Sequence, residues 1–250
     1  MNIEKILGRN FGIFDSDFNR LGDKLSDEIS GKNFLVIGGA GSIGSAVSIE
    51  IFKHKPRKLH IVDINENNLT ELVRDIRSSL GYIDGDFSTY AIDCGSHQFK
   101  KFINEKGPYN YVLNLSALKH VRSEKDPFTL TRMIDVNIIN IINSLELFDQ
   151  DELIKYFSVS TDKATNPINM MGASKRIMEL VLLDSNYKFN ISSARFANVA
   201  FSDGSLLHGF TQRILKKQPI SAPRDVRRYF ITPKESAQLC LISTIFGNNK

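Results

Sequence analysis

The chain has 250 residues, of which 42% are hydrophobic and 24% charged, with a formal net charge of +4. This length suits one large α/β domain or a nucleotide-binding domain with a smaller appendage, and the apolar content excludes a disordered chain. So small a net charge does not by itself indicate a nucleic-acid partner, and we expect none. The cysteines, Cys94 and Cys240, lie far apart without companion ligand residues, so we expect reduced thiols and no metal site. Because no apolar stretch approaches ~18 residues and the N-terminus lacks a signal-peptide core, we predict a cytoplasmic protein without a membrane span.

The first 30 residues are polar and amphipathic, and their irregularly spaced apolar side chains predict one or two short helices packed on the main domain. Further along the chain, short apolar runs alternate with amphipathic segments. This alternation predicts right-handed βαβ crossovers and a Rossmann-type, doubly wound parallel sheet, which makes the protein α/β. We predict strands at 33–37, 58–62, 88–92, 111–115, 154–160 and 190–195, and helices at 43–53, 67–80, 97–105, 128–148 and 175–184.

A glycine loop joins the first predicted strand to the following helix, with Gly38, Gly41 and Gly44 at three-residue spacing. The missing side chains permit a tight turn and let a pyrophosphate approach the helix N-terminus, where free N–H groups and the helix dipole attract anions. A glycine triplet alone is weak evidence, but here a strand and a helix flank it directly. We therefore predict that this loop binds a nicotinamide dinucleotide, with Ser42 and Ile43 at the start of the helix.

Acidic residues follow the next two predicted strands. Asp63 ends the second strand 19 residues after Gly44, where a carboxylate bonds the adenosine ribose hydroxyls. A helix N-cap or an Asx-turn is the alternative interpretation of Asp63. A carboxylate at this position repels a 2′-phosphate, so NAD is favoured over NADP. Asp93 and Cys94 end the third strand, where we expect them to meet the adenine.

The alternation weakens after about residue 200. The segment 204–228 mixes glycine, proline and basic residues, and one more helix is expected over 233–246. We therefore predict a helical extension over 1–30, a dinucleotide-binding Rossmann domain over 31–200, and the start of a substrate-binding lobe over 201–250. We expect this lobe to be small or incomplete, since no closing element is evident before the last residue.

Several segments together resemble the extended short-chain dehydrogenase/reductase superfamily, namely the glycine loop, Asn114-Leu115-Ser116-Ala117 and the block 158–175. The superfamily's Tyr-x-x-x-Lys pattern is incomplete, because Lys175 is present but Met171 stands four residues before it. The chain is more narrowly similar to the nucleotide-sugar 4,6-dehydratases of bacterial surface-polysaccharide biosynthesis, in whose membrane-associated branch methionine also replaces the tyrosine. The segments that carry this similarity are 3–9, 117–121 with Glu124, Asn137, 160–175 and 195–199.

The resemblance implies a hydro-lyase that converts UDP-N-acetylglucosamine, or a related UDP-N-acetylhexosamine, to a 4-keto-6-deoxy sugar. The reaction would use internal hydride transfer through NAD without net redox change. A homo-oligomer is also implied, since the superfamily often dimerises through the helices after strands four and five. The further cofactor contacts that it implies are Leu115, Ser116, Ala117, Lys119 and Lys175, and the substrate contacts are Asn137 and Asn198.

Asp162 and Lys163 follow the fifth predicted strand and carry the central chemical hypothesis. The resemblance implies that Lys163 removes the C5 proton, that Asp162 protonates the leaving C6 hydroxyl, and that Thr161 bonds the sugar. Lys175 is implied to bond the nicotinamide ribose. Met171 has no exchangeable proton, so another group must serve as the C4 base; a packing role for Met171 is compatible with this. Taken alone, an Asp-Lys pair at a strand end is better read as a surface ion pair, but the surrounding residues favour catalysis.

Other polar residues carry further expectations. Ser160 is a candidate to bond sugar hydroxyls, and Lys119 and His120 have a ligand-binding role and a solvated loop position as equal alternatives. The basic stretch around Arg228 is either a solvated face or a clamp on the substrate diphosphate. Arginine forms bidentate, charge-assisted bonds to such groups, which favours Arg228 as a clamp.

Two other functions remain open from the sequence. A sugar-nucleotide epimerase would use the same scaffold, but epimerases of this superfamily generally need the tyrosine that Met171 replaces. A non-catalytic NAD-binding regulator is the third hypothesis, and the intact Asp162, Lys163 and Lys175 argue against it. The dehydratase is therefore the leading hypothesis.

Overall fold

The computed structural model describes residues 3–184, 186–222, 224 and 227–248. Within residues 3–29 it has three short helices, α1 (Ile3–Ile6), α2 (Asp15–Arg20) and α3 (Gly22–Ile29). Leu25 and Ile29 on α3 are fully buried and join the main hydrophobic core. The N-terminal extension therefore packs on the sheet through its third helix, as its amphipathic pattern predicts.

The described chain forms a six-stranded parallel sheet with strand order β3-β2-β1-β4-β5-β6. The order reverses between β1 and β4, which opens a crevice at the carboxyl ends of these strands where α/β proteins bind ligands. The prediction of a doubly wound Rossmann-type sheet is thus confirmed. The strands are β1 (Asn33–Ile37), β2 (Lys58–Asp63), β3 (Asp86–Ala91), β4 (Tyr111–Asn114), β5 (Lys155–Thr161) and β6 (Asn190–Phe196).

Helices cover both faces of the sheet, because successive strand residues point to opposite sides. In β1, Phe34 and Val36 pack into one apolar cluster, and Leu35 and Ile37 pack into the other. Helices α5 and α6 begin where the side chains of Asn65 and Ser96 accept backbone N–H bonds. The crossover helices are α4 (Ser42–Lys53), α5 (Glu66–Ser79), α6 (His97–Lys106), α7 (Pro127–Ile134), α8 (Asn140–Leu145) and α9 (Met170–Asp184).

The single helix predicted over 128–148 is interrupted in the structure. A π-helical turn over Asp135–Ile139 separates α7 from α8. A π turn inserts an extra residue into the helix and is often found at functional sites. Here it holds Asn137, whose side chain is fully buried toward the carboxyl edge of the sheet.

Beyond β6 the chain forms β7 (Asn198–Val199), α10 (Leu206–Leu215), β8 (Phe230–Ile231) and α11 (Pro233–Phe246). The two short strands pair in parallel as a separate ribbon. Helix α11 packs on the sheet domain, since Ala237, Cys240 and Leu241 are buried in the core cluster that also holds residues of β1, α3 and α4. The predicted boundary at residue 201 and the substrate-binding lobe beyond it stay predictions.

Candidate functional site

Two of the three regularly spaced glycines in the loop are required by the fold, and the third is not. Gly38 has a φ of +71°, and a Cβ on Gly44 would lie 2.2 Å from the Gly38 carbonyl oxygen. Both positions therefore exclude any larger residue. A Cβ on Gly41 would meet only the Gly38 oxygen, at 3.5 Å. Gly41 is the N-cap of α4 and has no side-chain cap. The loop thus leaves open space at a helix N-terminus, which is a site that suits a phosphate group.

Asp63 joins the end of β2 to this loop. One carboxylate oxygen accepts the Ala40 N–H at 3.0 Å, and the other accepts the Asn65 N–H at 2.9 Å in an Asx-turn. The N-cap of α5 is Asn65, so the alternative N-cap role does not belong to Asp63. The carboxylate lies beside the glycine loop, where the predicted ribose contact requires it.

The end of β3 carries Asp93 and Cys94, as expected, but Asp93 has a partner that the sequence did not indicate. Its carboxylate bonds Arg132 on α7 at 2.6 Å and the Gly95 N–H at 2.9 Å. Burial raises the pKa of Asp93, but these bonds outweigh burial and leave the pKa below its ordinary value. Cys94 lies 4.0 Å from the Ser116 hydroxyl, and burial raises the pKa of its thiol. An adenine at this edge would therefore meet an ion pair.

The segment after β4 lies against the glycine loop. A Cβ on Gly38 would lie 2.6 Å from the Ser116 nitrogen, so Leu115, Ser116 and Ala117 line the same crevice as the loop. The Asn114 side chain accepts bonds from the Ser116 N–H and hydroxyl and fixes this segment. The glycine loop, Asp63, Asp93 with Cys94, and this segment therefore share one edge of the sheet.

Lys119 and His120 lie further along this segment and face the loop after β7. Although Lys119 is exposed, burial of its ammonium end lowers its pKa, and Asp203 acts in the opposite direction. A Cβ on Gly204 would lie 2.5 Å from the His120 ring. The Asp203 N–H in turn bonds the Ser42 hydroxyl at 2.9 Å. The loop at 203–204 thus bridges the start of α4 and the segment after β4.

The Asp162–Lys163 pair stands at the carboxyl end of β5. The Asp162 carboxylate accepts the Lys163 ammonium at 3.0 Å and the Thr161 hydroxyl at 2.9 Å. Burial raises the pKa of Asp162, but these two donors outweigh it and hold the pKa below its ordinary value. The side chains are 51% and 36% exposed, so both heads are accessible to a ligand. The arrangement is a compact group able to accept and donate protons.

Helix α9, which carries Met171 and Lys175, begins next to the Asp162–Lys163 pair. A Cβ on Gly172 would lie 2.6 Å from the Lys163 carbonyl oxygen, so the glycine allows the first turn of α9 to press against the pair. Lys175 is 4% exposed, and its ammonium donates to the Val159 carbonyl at 3.0 Å. Burial lowers the pKa of Lys175 to about 8, while Glu179 acts to raise it. Met171 is likewise buried and contributes no titratable group.

Two expectations of sugar contact do not fit the side-chain positions. Asn137 is fully buried, and its amide bonds both backbone groups of Leu118 and the Ser174 hydroxyl. It therefore positions the segment after β4 against α9, and a substrate contact would require it to leave these partners. Ser160 is also buried and donates to Glu179 at 2.6 Å. A sugar contact would likewise require Ser160 to leave Glu179.

The ribbon beyond β6 holds the other two predicted substrate contacts. Asn198 is part-exposed, and its backbone and side-chain N–H groups both donate to the Tyr229 carbonyl, at 3.2 Å each. Tyr229 is 86% exposed and follows Arg228, which is also exposed. The ribbon thus presents Asn198 and Arg228 near one another but outside the buried part of the site.

Sequence reasoning missed Glu179, which bonds Ser160, Arg195 and Arg176 beneath the end of β5. Glu124, named only as part of the resemblance, accepts the first N–H of α9 at 2.8 Å. A charged residue on the buried face of α9 was the available signal for Glu179. Among the described residues, no helix is long and apolar enough to cross a membrane. The same residues contain no cluster of three or more His, Cys, Asp or Glu side chains able to hold a metal ion.

The fold and this edge define a short-chain dehydrogenase/reductase-like protein. The family model for polysaccharide biosynthesis proteins matches residues 34–250, and the chain belongs to this family. It is 32% identical to an uncharacterized membrane protein of Methanocaldococcus jannaschii over 87% of this chain and 64% of that protein. It is 31% identical to the capsular polysaccharide biosynthesis protein CapD of Staphylococcus aureus over 96% of this chain and 39% of CapD.

The names of more distant relatives describe two different activities. The chain is 26% identical to an inverting UDP-N-acetylglucosamine 4,6-dehydratase of Campylobacter jejuni, over 85% of this chain and 63% of that protein. It is 27% identical to a UDP-glucose 4-epimerase of Rickettsia rickettsii, over 87% and 64%. Among solved structures, Pen from Bacillus thuringiensis matches with a TM-score of 0.75 and 23% identity, over 86% of this chain and 65% of that one. The chain therefore spans less than two thirds of the length of these curated relatives.

Proposed function

We propose that this chain is the catalytic part of a nucleotide-sugar 4,6-dehydratase that acts on UDP-N-acetylglucosamine or a related UDP-N-acetylhexosamine. The observation that carries the proposal is the Asp162–Lys163 pair, against whose backbone the first turn of α9 packs at Gly172. The family supports a role in polysaccharide biosynthesis. The similarity to a dehydratase of Campylobacter jejuni supports the reaction. Because UDP-glucose 4-epimerases are equally similar, the choice between dehydration and epimerisation rests on the chemistry of the site.

The residues at the carboxyl edge fit a dinucleotide. Gly41 leaves space at the start of α4, Asp63 lies beside the loop for the ribose hydroxyls, and Asp93 with Arg132 lies at the adenine end. Lys175 would bond the nicotinamide ribose. A carboxylate at position 63 favours NAD over NADP. Bound NAD supplies the hydride acceptor and donor that a dehydration without net redox change requires.

The Thr161–Asp162 contact offers a replacement for the missing tyrosine. The lowered pKa of Asp162 keeps its carboxylate ionised in the free protein, with the Thr161 hydroxyl bonded to it. We infer that the proton of the sugar 4-hydroxyl passes through Thr161 to Asp162, because Met171 offers no acceptor. Asp162 then carries the proton that the leaving C6 hydroxyl needs to depart as water.

Lys163 carries out the remaining proton transfer, at C5. Lys163 gives up its ammonium proton to solvent and, as the neutral amine, removes the C5 proton. It returns this proton to C5 at the end of the reaction and takes a proton from solvent to become the ammonium again. The assigned roles agree with those implied by the resemblance, in which lysine is the C5 base and aspartate the C6 acid. One water leaves, and both side chains regain their starting states.

An epimerase is the second candidate, and the similarity to UDP-glucose 4-epimerases supports it. Epimerisation at C4 needs neither a base at C5 nor an acid at C6. It does need a base for the 4-hydroxyl, which Met171 cannot provide. The Asp162–Lys163 pair therefore favours elimination.

The test is to incubate the purified protein with NAD and UDP-N-acetylglucosamine and to follow the product by mass spectrometry. Loss of one water per sugar is the expected result. An isomer of unchanged mass would establish the epimerase instead. Bound NAD without turnover of this substrate or of other UDP-N-acetylhexosamines would favour the non-catalytic regulator.

We also propose that the protein is a homo-oligomer. Helix α9 exposes the apolar side chains of Ile177, Leu180 and Leu183 to between 45% and 49% of their surface. Exposed apolar surface on one helix face is typical of an interface. Sedimentation velocity at micromolar concentration tests this, with a dimer or larger species expected and a monomer contradicting it.

A further inference from the structure

Glu235 on α11 is fully buried, although it is charged, and it is held by the N-terminal extension. Arg9 donates to both of its carboxylate oxygens, at 2.5 and 2.9 Å, and the Ile13 N–H donates at 2.7 Å. The Thr232 N–H donates to the same carboxylate at 2.7 Å. Burial raises the pKa of Glu235, but these donors outweigh it and keep the pKa below its ordinary value. A buried charge is tolerated only when it is paired in this way.

A second contact secures the same extension to α11. The Asp15 carboxylate bonds Lys234 at 2.7 Å and Gln238 at 3.1 Å. The pKa of Asp15 is lowered, first by the Lys234 bond and then by the Gln238 bond. The extension therefore contacts the first two turns of α11 through polar and charged side chains that lie far apart in sequence from their partners.

The first turn of α11 leads directly into the β7–β8 ribbon. Thr232 is the N-cap of α11 and follows β8 in the chain, and its hydroxyl and Glu235 form a reciprocal capping box. Arg9 also reaches the Phe230 carbonyl in β8, at 3.5 Å. In the ribbon Phe230 pairs with Asn198. The contacts of Arg9 are thus one residue pair away from Asn198 and two residues from Arg228.

The two residue pairs of the ribbon are held in different ways. The pair Val199 and Ile231 is buried in the main core cluster, and the Ala200 N–H extends it with a bond to Ile231. The pair Asn198 and Phe230 is part-exposed. A two-stranded ribbon of this size is not stable by itself in water, so the position of this outer pair depends on the elements next to it, among which Arg9 bonds Phe230 and Glu235.

We propose that Arg9 is a positioning residue for the sugar nucleotide, because its bonds to Glu235 and Phe230 fix the β7–β8 ribbon that carries Asn198 and Arg228. This inference rests on the proposed function, in which the ribbon binds a UDP-sugar. Arg9 touches neither the cofactor edge nor the Asp162–Lys163 pair. The N-terminal extension is accordingly part of the machinery for substrate affinity and not a spacer ahead of the sheet.

The test compares Arg9→Ala and Arg9→Lys with Arg20→Ala in the NAD-loaded protein. Arg20 lies in the same extension and pairs with Asp17 on the surface, so it controls for loss of a positive charge. UDP binding is measured by titration calorimetry, and amide hydrogen exchange is followed in peptides that cover residues 198–200 and 229–231. We expect Arg9→Ala to weaken UDP binding about fivefold, at the lower end of couplings between separate sites, and to speed exchange in both peptides. Arg9→Lys keeps the charge but loses the bidentate bond to Glu235, so an intermediate effect is expected.

The outcomes separate this inference from the function on which it rests. If wild-type protein binds UDP and Arg9→Ala binds it equally well, the positioning role is overturned while the proposed function stands. If wild-type protein binds neither UDP nor UDP-N-acetylglucosamine, both fall. Where Arg9→Ala does not fold, Arg9→Lys decides: it must raise KM for the UDP-sugar while kcat and NAD content stay within about twofold. An equal loss of active fraction with unchanged KM would mean that Arg9 only stabilises the fold.

Discussion

The two ends of the proposed site are built in different ways. At the cofactor edge, the glycine loop, Asp63 and the segment after β4 are packed so closely that a single added carbon at Gly38 or Gly44 would collide with backbone. At the sugar edge, Asp162 and Lys163 are half-exposed, and Arg228 lies on an exposed segment next to a two-residue ribbon. The cofactor edge is a tightly packed backbone turn, and the sugar edge presents exposed charged side chains.

This difference suits the proposed chemistry. A cofactor that accepts and then returns a hydride within one turnover does not have to leave, so a rigid edge that holds it is an advantage. The sugar nucleotide must enter and depart in every cycle, and an accessible edge allows this. Substitutions at the two edges should therefore fail differently: at the sugar edge catalysis is lost with the fold intact, and at the cofactor edge the fold itself is affected.

The largest effect is expected from Lys163→Ala. Loss of the C5 base should reduce turnover of UDP-N-acetylglucosamine about 10³-fold, within the range for general acid–base catalysis. NAD content and thermal stability should remain near those of the wild type, since the side chain is 36% exposed. Product is measured by mass spectrometry and NAD by its absorbance after release.

Lys188→Ala is the matched control for this variant. Lys188 forms an exposed pair with Asp151 at 2.8 Å, close to the 3.0 Å of the Asp162–Lys163 pair, but at the opposite end of β6. Its loss should leave turnover unchanged, because an exposed ion pair contributes little to stability. Retained dehydration in Lys163→Ala would remove Lys163 from the mechanism.

The next effect concerns the rigid edge and compares Gly44→Ala with Gly41→Ala. At Gly44 the added carbon would lie 2.2 Å from the Gly38 oxygen, so the helix and loop must separate, at a cost of about 3 kcal/mol. At Gly41 the nearest atom is 3.5 Å away, and the cost should stay below about 1 kcal/mol. Urea unfolding measures both. Gly41→Ala should nevertheless weaken NAD binding, and unchanged affinity would mean that no pyrophosphate approaches Gly41.

The sheet, its order of elements and the glycine loop could be predicted because their signals are local. A buried parallel strand is a continuous apolar run, as at 33–37, and the observed β1 has the same bounds. The helix over 128–148 could be predicted only as one piece. The π turn within it has no composition of its own, and it forms because Asn137 finds partners on Leu118 and Ser174.

The contacts that could not be predicted join residues far apart in the chain. Arg132 bonds Asp93 across 39 residues, and Arg9 bonds Glu235 across 226 residues. Such pairs depend on how the helices dock on the sheet, which one sequence does not reveal. The cofactor edge was therefore predicted in more detail than the sugar edge, since the former depends on local turns and the latter on distant docking.

The buried Lys175 predicts how the free energy of unfolding depends on pH. Its pKa in the folded protein is lowered from 10.5 to about 8 by burial. Below pH 8 the folded protein holds a buried ammonium, a penalty of about 3 kcal/mol at ~1.4 kcal/mol per pKa unit. Between pH 8 and 10.5 the folded state has lost this proton and the unfolded state still binds it, so stability rises with pH in this window. Above 10.5 the penalty is gone.

Lys175→Met isolates this contribution, because methionine fills a similar volume without a charge. The variant should be more stable than the wild type at pH 7, and the advantage should shrink from pH 8 to pH 10. The difference between the two proteins in urea unfolding at each pH cancels other titrating groups. A constant difference across this range would show that burial of Lys175 does not govern its ionisation.

The smallest effect is expected from Asp63→Asn, which alters charge at the rigid edge and preserves shape. The amide oxygen can still accept the Ala40 N–H, so the glycine loop should keep its conformation, although the amide NH2 cannot replace the oxygen that accepts the Asn65 N–H. Without the negative charge, the repulsion of a 2′-phosphate is lost, and the ratio of NAD to NADP affinity should fall about tenfold, or ~1.4 kcal/mol. Asp93→Asn is the control: its carboxylate is already neutralised by Arg132 at the adenine end, so it should weaken both cofactors alike. If Asp63→Asn lowers both affinities equally and leaves their ratio unchanged, Asp63 serves the glycine loop through its bond to Ala40 and does not select the cofactor.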